Sequence, residues 1–584
     1  VLIMAVYRSD QAQLTFATEG GHGGYPETAS DVTADGSKVG RINMSAGLPA
    51  GSRHITVDNM GTPIVVGDFI QIGPGVAGSG STRESEVRRA EYVDGNTGLT
   101  LDVPTAFFHA NNTDITSVTA VDAANKEKLI SWVPGVYETV EVPDPEQAIE
   151  GRYLLGTNQR RNFFVAYKGQ QTFTGSLGGF VLLNGWPLRY PIGKVTSVPS
   201  AGLTGRTHMS AAKKGDLYID VNSASAISAG DVIAIDREAS PNSSSVCEIR
   251  RVTEKSTNNL KLNYPLQFAH AAAGSGTSQI QTIATGTAGI YYQHDIFETV
   301  DLDTISWNVH MRDSAEAGGN DFDRRYFGGH VGSMTITADE GGLLTTSWDG
   351  INFQDMVHNQ KFNSSYGSGS TALPGYALMQ SISSGDIGAP QGDLTDSSAT
   401  YDARGFPSTD PYYFSQGSLT MFGVEFARLR SFSLSIANNE EPRYYIGGQG
   451  KGTRRHRGPT EIRENNREYS MSASIVLPDS LDGSSADETG RRLFTELLLE
   501  GDYGTTSSSM SGFNIVLTFT RGTNDTITIT IPDDGSAATG GGQQGAFIRS
   551  APHAPSGDNP LQVEADILFR NMKIQIKDSE PFYP

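Results

Sequence analysis

The stretch RRYFGGHVGSMTITADEGGLLTTSWDGINFQDM, residues 324–356, sets how the rest of the chain is read. Between 331 and 337 its residues alternate, with Val331, Ser333, Thr335 and Thr337 on one side and Met334 and Ile336 on the other. A period of two marks a strand, because successive side chains leave opposite faces of the pleat. Asp339, Glu340, Gly341 and Gly342 supply the backbone freedom and side-chain-to-backbone bonds of a tight turn, and 343–348 returns beside the first strand. The unit reads as a β-hairpin.

The same alternation recurs outward from it. SFSLSIANNEEPRYY (431–445) and EYSMSASIVL (468–477) are strands around an Asn-Asn turn and a glycine-rich, basic loop. Phe513, Ile515, Leu517 and Phe519 alternate, as do Ile527, Ile529 and Ile531, and 567–576 adds a last strand. One helix is predicted, over 486–500: Ser484 and Ser485 stand at capping-box spacing from Asp487 and Glu488, Leu493, Phe494, Leu497 and Leu498 form its apolar stripe, and Gly501 follows its end. With 67 glycines and only 19% charged residues, the composition is that of a turn-rich β-protein.

At 584 residues the chain is too long for one core. Its clearest internal signal is a repeat. HITVDNMGTPIVVGDFIQIG (54–73) and EVRRAEYVDGNTGLTLDVPTAFFHA (86–110) return as LYIDVNSASAISAGDVIAID (217–236) and EIRRVTEKSTNNLKLNYPLQFAHA (248–271). Gly67-Asp68 matches Gly230-Asp231, Glu86 matches Glu248, and His109 matches His270, at separations of 163, 162 and 161 residues. Each copy is expected to be a small barrel or sandwich of four or five short strands.

The glycine pair, short strand, acidic Gly-Gly turn and return strand of 324–356, followed by the two segments at 431–445 and 468–477, resemble the tail tube proteins of long-tailed bacteriophages. The resemblance spans about 291–584 and, more loosely, 9–26. It implies a mainly β fold, with a tail-tube β-sandwich or barrel core readable as two tube-like halves, one packed helix and two inserted small β-modules. The expected division is 1–47, N-terminal arm and first core strand; 48–111, inserted module; 112–206, first part of core half 1; 207–273, second module; 274–356, remainder of half 1; 357–411, long polar loop; and 412–584, core half 2. The arm and the long loops would bridge stacked rings. Implied partners are the protein itself, as a hexameric or a trimeric pseudo-hexameric ring, and the tape measure, tail terminator and distal tail proteins. DNA would pass through a carboxylate-lined lumen without specific binding. The implied location is the virion tail, assembled in the host cytoplasm. A capsid-decorating or distal tail protein is the alternative within the virion. A carbohydrate-binding tail spike is the alternative outside structural proteins, but it would show β-helix repeats of roughly 20 to 30 residues.

The net charge of −21 argues against a nucleic-acid grip, which needs cations to displace the counterions of phosphate. Cys247 is the single cysteine, so neither an internal disulfide nor a sulfur-bound metal is expected. The apolar opening 1–6 is shorter than a signal peptide core, Met4 can serve as a start, and no run reaches the length of a membrane helix. Gly20–Gly24 (GGHGG) and 447–452 (GGQGKG) match no phosphate-binding motif, and no nucleophile elbow or H-E-x-x-H occurs. Asp301 with Asp303, and Asn320, Asp321 and Asp323, read as turn caps and not as a cation site. No enzyme activity, cofactor or metal is therefore expected. Candidate functional residues are inter-subunit contacts: Met334 and Ile336 in the hairpin, and Arg454, Arg455 and Arg457 in the basic run, set to meet acidic surface on a neighbour.

Overall fold

A computed structural model of the chain describes residues 12–18, 32–49, 52, 54–58, 64, 69–73, 86–95, 97–101, 105, 109–121, 136–152, 165–212, 214, 218–237, 246–270, 279–284, 289–300, 302–311, 322–358, 410–421, 424–426, 429–444, 458–459, 461–476, 513–533, 545–554 and 562–583. The fold is mainly β, as the alternation requires. Its centre is a nine-stranded antiparallel sheet of Thr139–Glu141 (β1), Thr174–Val181 (β2), Ser333–Asp339 (β3), Thr345–Asn352 (β4), Leu429–Ala437 (β5), Glu468–Val476 (β6), Ala546–Ser550 (β7), His553–Ala554 (β8) and Gln562–Phe569 (β9). In space the order is β7-β9-β6-β5-β3-β4-β2-β1, with β8 also on β9. The opening hairpin is β3 and β4, with Gly341 at its turn in the left-handed region (φ 77°).

One face of this sheet is apolar. Met334, Ile336, Trp348, Leu434, Ile436, Tyr469, Met471 and Ile567 are buried there. They share one core with Ile515, Leu517, Phe519, Ile527, Ile529, Ile574 and Ile576 of a seven-stranded sheet, which completes a sandwich. The two halves of the chain are not separate bodies in this core. β1 to β4 come from the first half and β5 to β9 from the second, joined through the β3–β5 pair, and Tyr292–Glu298 likewise pairs with Lys573–Asp578 in the opposite sheet.

Strand order within the large sheet repeats. From one edge, the first half reads third, fourth, second, first in chain order (β3-β4-β2-β1), and the second half reads the same way (β7-β9-β6-β5). In both, a two-stranded arm lies between the first and second strands: Glu146–Arg152 with Val165–Thr172, and Glu441–Arg443 with Glu461–Arg463. The chain thus lays one four-strand pattern beside a second copy of itself.

Ala12–Thr18, in the stretch expected as N-terminal arm and first core strand, is a strand paired along its length with Ile305–Met311. Phe16 is fully buried, its ring 5.1 Å from Trp307, 6.0 Å from Trp348 and 6.1 Å from Trp186. Aromatic rings meeting edge to face at this spacing bury large area and add a geometric preference, which holds the strand in place. The rest of 1–31 lies outside the described residues, as do the predicted helix over 486–500 and residues 359–409 of the polar loop. The described helical turns are Trp186–Leu188 and Arg189–Ile192, both buried, and Phe414–Gln416.

The sequence repeat appears as two six-stranded sheets of identical order. Val32–Arg41, Asp114–Val121, Phe69–Ile72, Glu86–Asp94, Gly98–Leu101 and His54–Thr56 correspond in turn to Leu203–His208, Gln279–Ile283, Val232–Ile235, Glu248–Ser256, Asn259–Leu262 and Tyr218–Asp220. The bridges Ile42–Val57 and Met209–Val221 join the two outer strands of each sheet, so each is a closed barrel without free edges. There are six strands where four or five were expected. The first and last strands, 32–41 with 114–121 and 203–208 with 279–283, extend beyond 48–111 and 207–273, because their sequences have diverged while their pairing has not.

Of the repeated Glu-x-Arg and His residues, Arg88, His109, Glu248, Arg250 and His270 are interior polar groups. In the second barrel Glu248 accepts from Arg250 (2.5 Å) and from the N–H groups of Gln267 and Phe268 (2.9 Å each), and it lies 3.0 Å from His270 Nε2. His270 Nδ1 meets Asp236 at 2.6 Å. In the first barrel the matching Arg88 and His109 are also buried. The second barrel is fixed to the sandwich: the N–H of Ser197 donates to the carbonyl of Cys247, and Val232, Ala234 and Ile249 join the main core. Beside that junction Arg189 and Lys214 bind the carboxylate of Asp303 at 2.5 and 3.0 Å.

Burial alone would push the His270 imidazole down, but its bonds to Asp236 and Glu248 outweigh this and hold it up at about 9. A raised histidine stabilises the fold fully below its ordinary value near 6.5, and that contribution is lost as pH rises through about 9. Denaturant titrations at pH 6 and pH 9 should show wild type losing stability across this window, and His270→Gln should lose clearly less.

Candidate assembly surface

Because strands alternate, the apolar face of the large sheet fixes what its other face carries. Cross-strand register sets those residues in rows. One row is Thr345, Thr337, Ser433, Ser472 and Asp566, and the next is Ser347, Thr335, Ser435, Ser470 and Leu568. They are flanked by Asp349, Ser333, Ala437 and Glu468 on one side and by Asp339, Ser431, Ser474 and Glu564 on the other. The middle of the face is therefore small hydroxyls, with carboxylates toward its ends. Thr337 and Thr345 Oγ1 lie 3.0 Å apart, and Ser474 donates to Glu564 at 2.8 Å, so neighbouring strands are also tied through side chains. Arg549 on β7 sits 3.4 Å from Asp566 at one edge.

The two edges differ. β1 has three residues, all exposed, and Val140 lies on it opposite the buried Leu177 yet remains 39% exposed. β7 closes the other edge, with Ala546 opposite Phe569. The first arm is open on both sides: Ile149 and Tyr167 occupy opposite faces of the ribbon and are 70% and 58% exposed. A two-stranded ribbon buries too little to be stable by itself, and apolar groups on both faces are surface for a partner. The hydroxyl of Tyr444, at the end of the second arm, donates to the carbonyl of Gln171 in the first, so the arms leave the body together.

Met334 and Ile336 do not fit the role expected of them. Both are 0% exposed and point into the sandwich, so their side chains hold the two sheets together and cannot meet a neighbour. What β3 offers outward is Ser333, Thr335 and Thr337. Arg454, Arg455 and Arg457 lie outside the described residues, between the two strands of the second arm in sequence. Asp303 is paired with Arg189 and Lys214, and Cys247 is buried, its thiol pushed up to about 12 by desolvation. The hydroxyl rows were legible in the patterns SFSLSIA, SMTITA and YSMSAS, read for their outward positions.

One constellation resembles hydrolytic machinery. Ser197 Oγ is 2.8 Å from His294 Nδ1, and His294 Nε2 is 3.3 Å from Asp578. All three are buried, His294 Nε2 also donates to the carbonyl of Glu580 at 2.8 Å, and the Tyr583 ring stacks on the imidazole at 4.0 Å. Ser197 is out of a substrate's reach, and the set fastens the segment around 578–583 to the core. Among the described residues no group of histidine, cysteine or carboxylate side chains has metal-binding geometry, and no helix is long and apolar enough to cross a membrane.

Residues 149–569 match the family model described as phage tail tube protein. The matched span begins in the first arm, ends with β9 and encloses the second barrel, whereas the first barrel lies outside it. No curated protein matches the chain.

The two faces of β3 predict opposite responses to one substitution. Met334→Asp buries a charge in the core and should cost at least about 4 kcal/mol, whereas Thr335→Asp on the hydroxyl face should stay within about 1 kcal/mol. Equilibrium unfolding of both variants measures the difference.

Proposed function

The chain belongs to the phage tail tube protein family, structural components of the virion tail, and from that premise we propose that it is the subunit of stacked rings forming a DNA-conducting tube. Each ring contains three copies, because one chain already carries the four-strand pattern twice and a six-pattern ring closes with three such chains. The carrying observation is the junction inside the chain, where β5 of the second pattern pairs with β3 of the first. Repeating that junction between copies places β7 of one chain on β1 of the next. This removes both open edges of the large sheet, and a heterologous contact of this kind generates a closed ring.

The register carries over as well. Ala546 stands to Phe569 as Met334 stands to Trp348, and Val140 stands to Leu177 as Ile436 stands to Tyr469. Met334 pairs with Ile436 and Thr335 with Ser435, so Ala546 should meet Val140 of the next copy and Phe547 its Thr139. The half-exposed Val140 is then covered. In this arrangement the hydroxyl face lines the lumen. Its hydroxyl rows offer phosphate no cation to exchange for its counterions, Arg549 at the edge is engaged by Asp566, and the carboxylates toward the ends repel the backbone, so DNA slides without sticking. The paired arms, the basic run with Arg454, Arg455 and Arg457, and the tape measure, tail terminator and distal tail proteins make the contacts above and below each ring. Assembly takes place in the host cytoplasm.

Negative-stain images of the purified protein should show hollow tubes. Opposed antiparallel residues lie within disulfide reach, so Thr139→Cys with Phe547→Cys, oxidised after assembly, should give covalent species ending at a closed trimer. The same pairing made within one chain, Thr335→Cys with Ser435→Cys, is the positive control. Tubes that form without cross-linking would refute the β7–β1 junction, and a series continuing to six copies would refute the three-copy ring.

A further inference from the structure

The root of the second arm holds a buried acid that ring closure does not use. The arm leaves the large sheet after β5 and returns to it before β6. Asn438 is buried there, donating to the carbonyls of Pro191 (3.0 Å) and Val331 (2.8 Å) and accepting from Arg467 Nε at 2.7 Å. Arg467 also donates to the carbonyl of Ile192 at 3.0 Å and lies 3.5 Å from Glu298. Asn439 and Asn465 donate to the carbonyls of Asn466 and Asn439 at 2.8 and 2.9 Å, which ties the outgoing strand to the returning one.

Glu440 sits inside this knot with its side chain fully buried. His330 Nδ1, at the bridge to Asn352 ahead of β3, is 3.9 Å from Glu440 Oε1 and 3.8 Å from Glu464 Oε1. Glu464 itself accepts the N–H of Leu302 at 3.0 Å. Neither oxygen of Glu440 completes a hydrogen bond of ordinary geometry. Desolvation, then the charge of Glu464, drive its carboxyl well above the usual carboxylate range, and Asn352 and Arg467 oppose this without reversing it.

We propose that Glu440 is a proton-operated latch at the root of the Glu441–Arg463 arm, closed when the carboxyl is neutral and loosened when it is ionised beside Glu464. The local contribution has the sign of any acid raised in the folded state: it is complete below the ordinary carboxylate range and is lost as pH rises through the raised value. His330, Glu464, Arg467 and, through Arg467, Glu298 are the charged or titratable groups that face the latch from the elements around it. The consequence for tubes rests on the reading of the arms as ring-to-ring contacts: stacking weakens in alkali while each ring keeps its sheet junctions.

Hydrogen exchange on the full chain tests this apart from assembly. After correction for intrinsic chemistry, exchange at Glu441–Arg443 and Glu461–Arg463 should be about tenfold or more faster at pH 8.5 than at pH 5.5, one pKa unit being worth a factor of ten. Glu440→Gln keeps the neutral shape and should bring that ratio close to one. Glu464→Gln removes the neighbouring charge and should move the wild-type transition to lower pH, which keeps the test open if the first variant folds poorly. An equal pH response in wild type and Glu440→Gln, or a flat response in wild type, overturns the latch. Light scattering of wild type at both pH values separates the two readings: absence of tubes at either pH with the expected exchange behaviour would defeat the tube assignment and leave the latch standing.

Discussion

The pairing of β3 with β5 is the constraint on which the rest of the structure depends. Seven residue pairs, from Ser333 with Ala437 to Asp339 with Ser431, join segments nearly a hundred positions apart into one sheet. Because side chains alternate strictly, this single register sends Met334, Ile336, Leu434 and Ile436 inward together and aligns Thr335 with Ser435 outward. A slip of one residue would turn the apolar residues of the slipped strand to water. The same pairing hides an edge that each half would otherwise expose, and a hidden edge between repeats inside a chain is a pattern for hiding edges between chains.

Around that sheet, burial of polar groups decides what is rigid. The second barrel is not a loosely tethered appendage, because Arg189 and Lys214 share the carboxylate of Asp303 beside its junction with the sandwich, and its own strands contribute to the main core. Inside it, Glu248 binds Arg250, His270 and the N–H groups of 267–268. Removing one partner of such a network leaves a buried charge unmatched. Tyr583, His294, Ser197 and Asp578 apply the same logic, a catalytic-looking set used to fasten a segment of chain.

Membership of the tail tube family gives these features a common sense. The conduit we propose needs one face that binds nothing strongly and edges that bind their own kind. Short hydroxyl side chains satisfy the first requirement, since they hydrogen-bond locally across strands and present neither apolar area nor cations. Open strands at both ends of a repeated pattern satisfy the second. The second barrel interrupts the pattern between β2 and β3 and the first precedes β1, places where a closed unit can be added without disturbing the sheet.

The sequence by itself determined the fold class, the strands of the opening hairpin, the internal repeat and the family resemblance, because period-two patterning and repeated motifs are local properties that survive in one dimension. Tertiary structure alone decided what each pattern faces. The alternation of 331–337 sets Met334 and Ile336 on one apolar side but does not say whether that side meets the chain's own core or a neighbour, so they read as contacts for a neighbour when they are the glue of the sandwich. Nothing in the composition of 9–26 says that Phe16 fills a space among three tryptophans brought from residues 186, 307 and 348. The tandem order of the large sheet was equally hidden, because it lives in backbone hydrogen bonds between distant strands, and those bonds are indifferent to the side chains by which sequence likeness is seen.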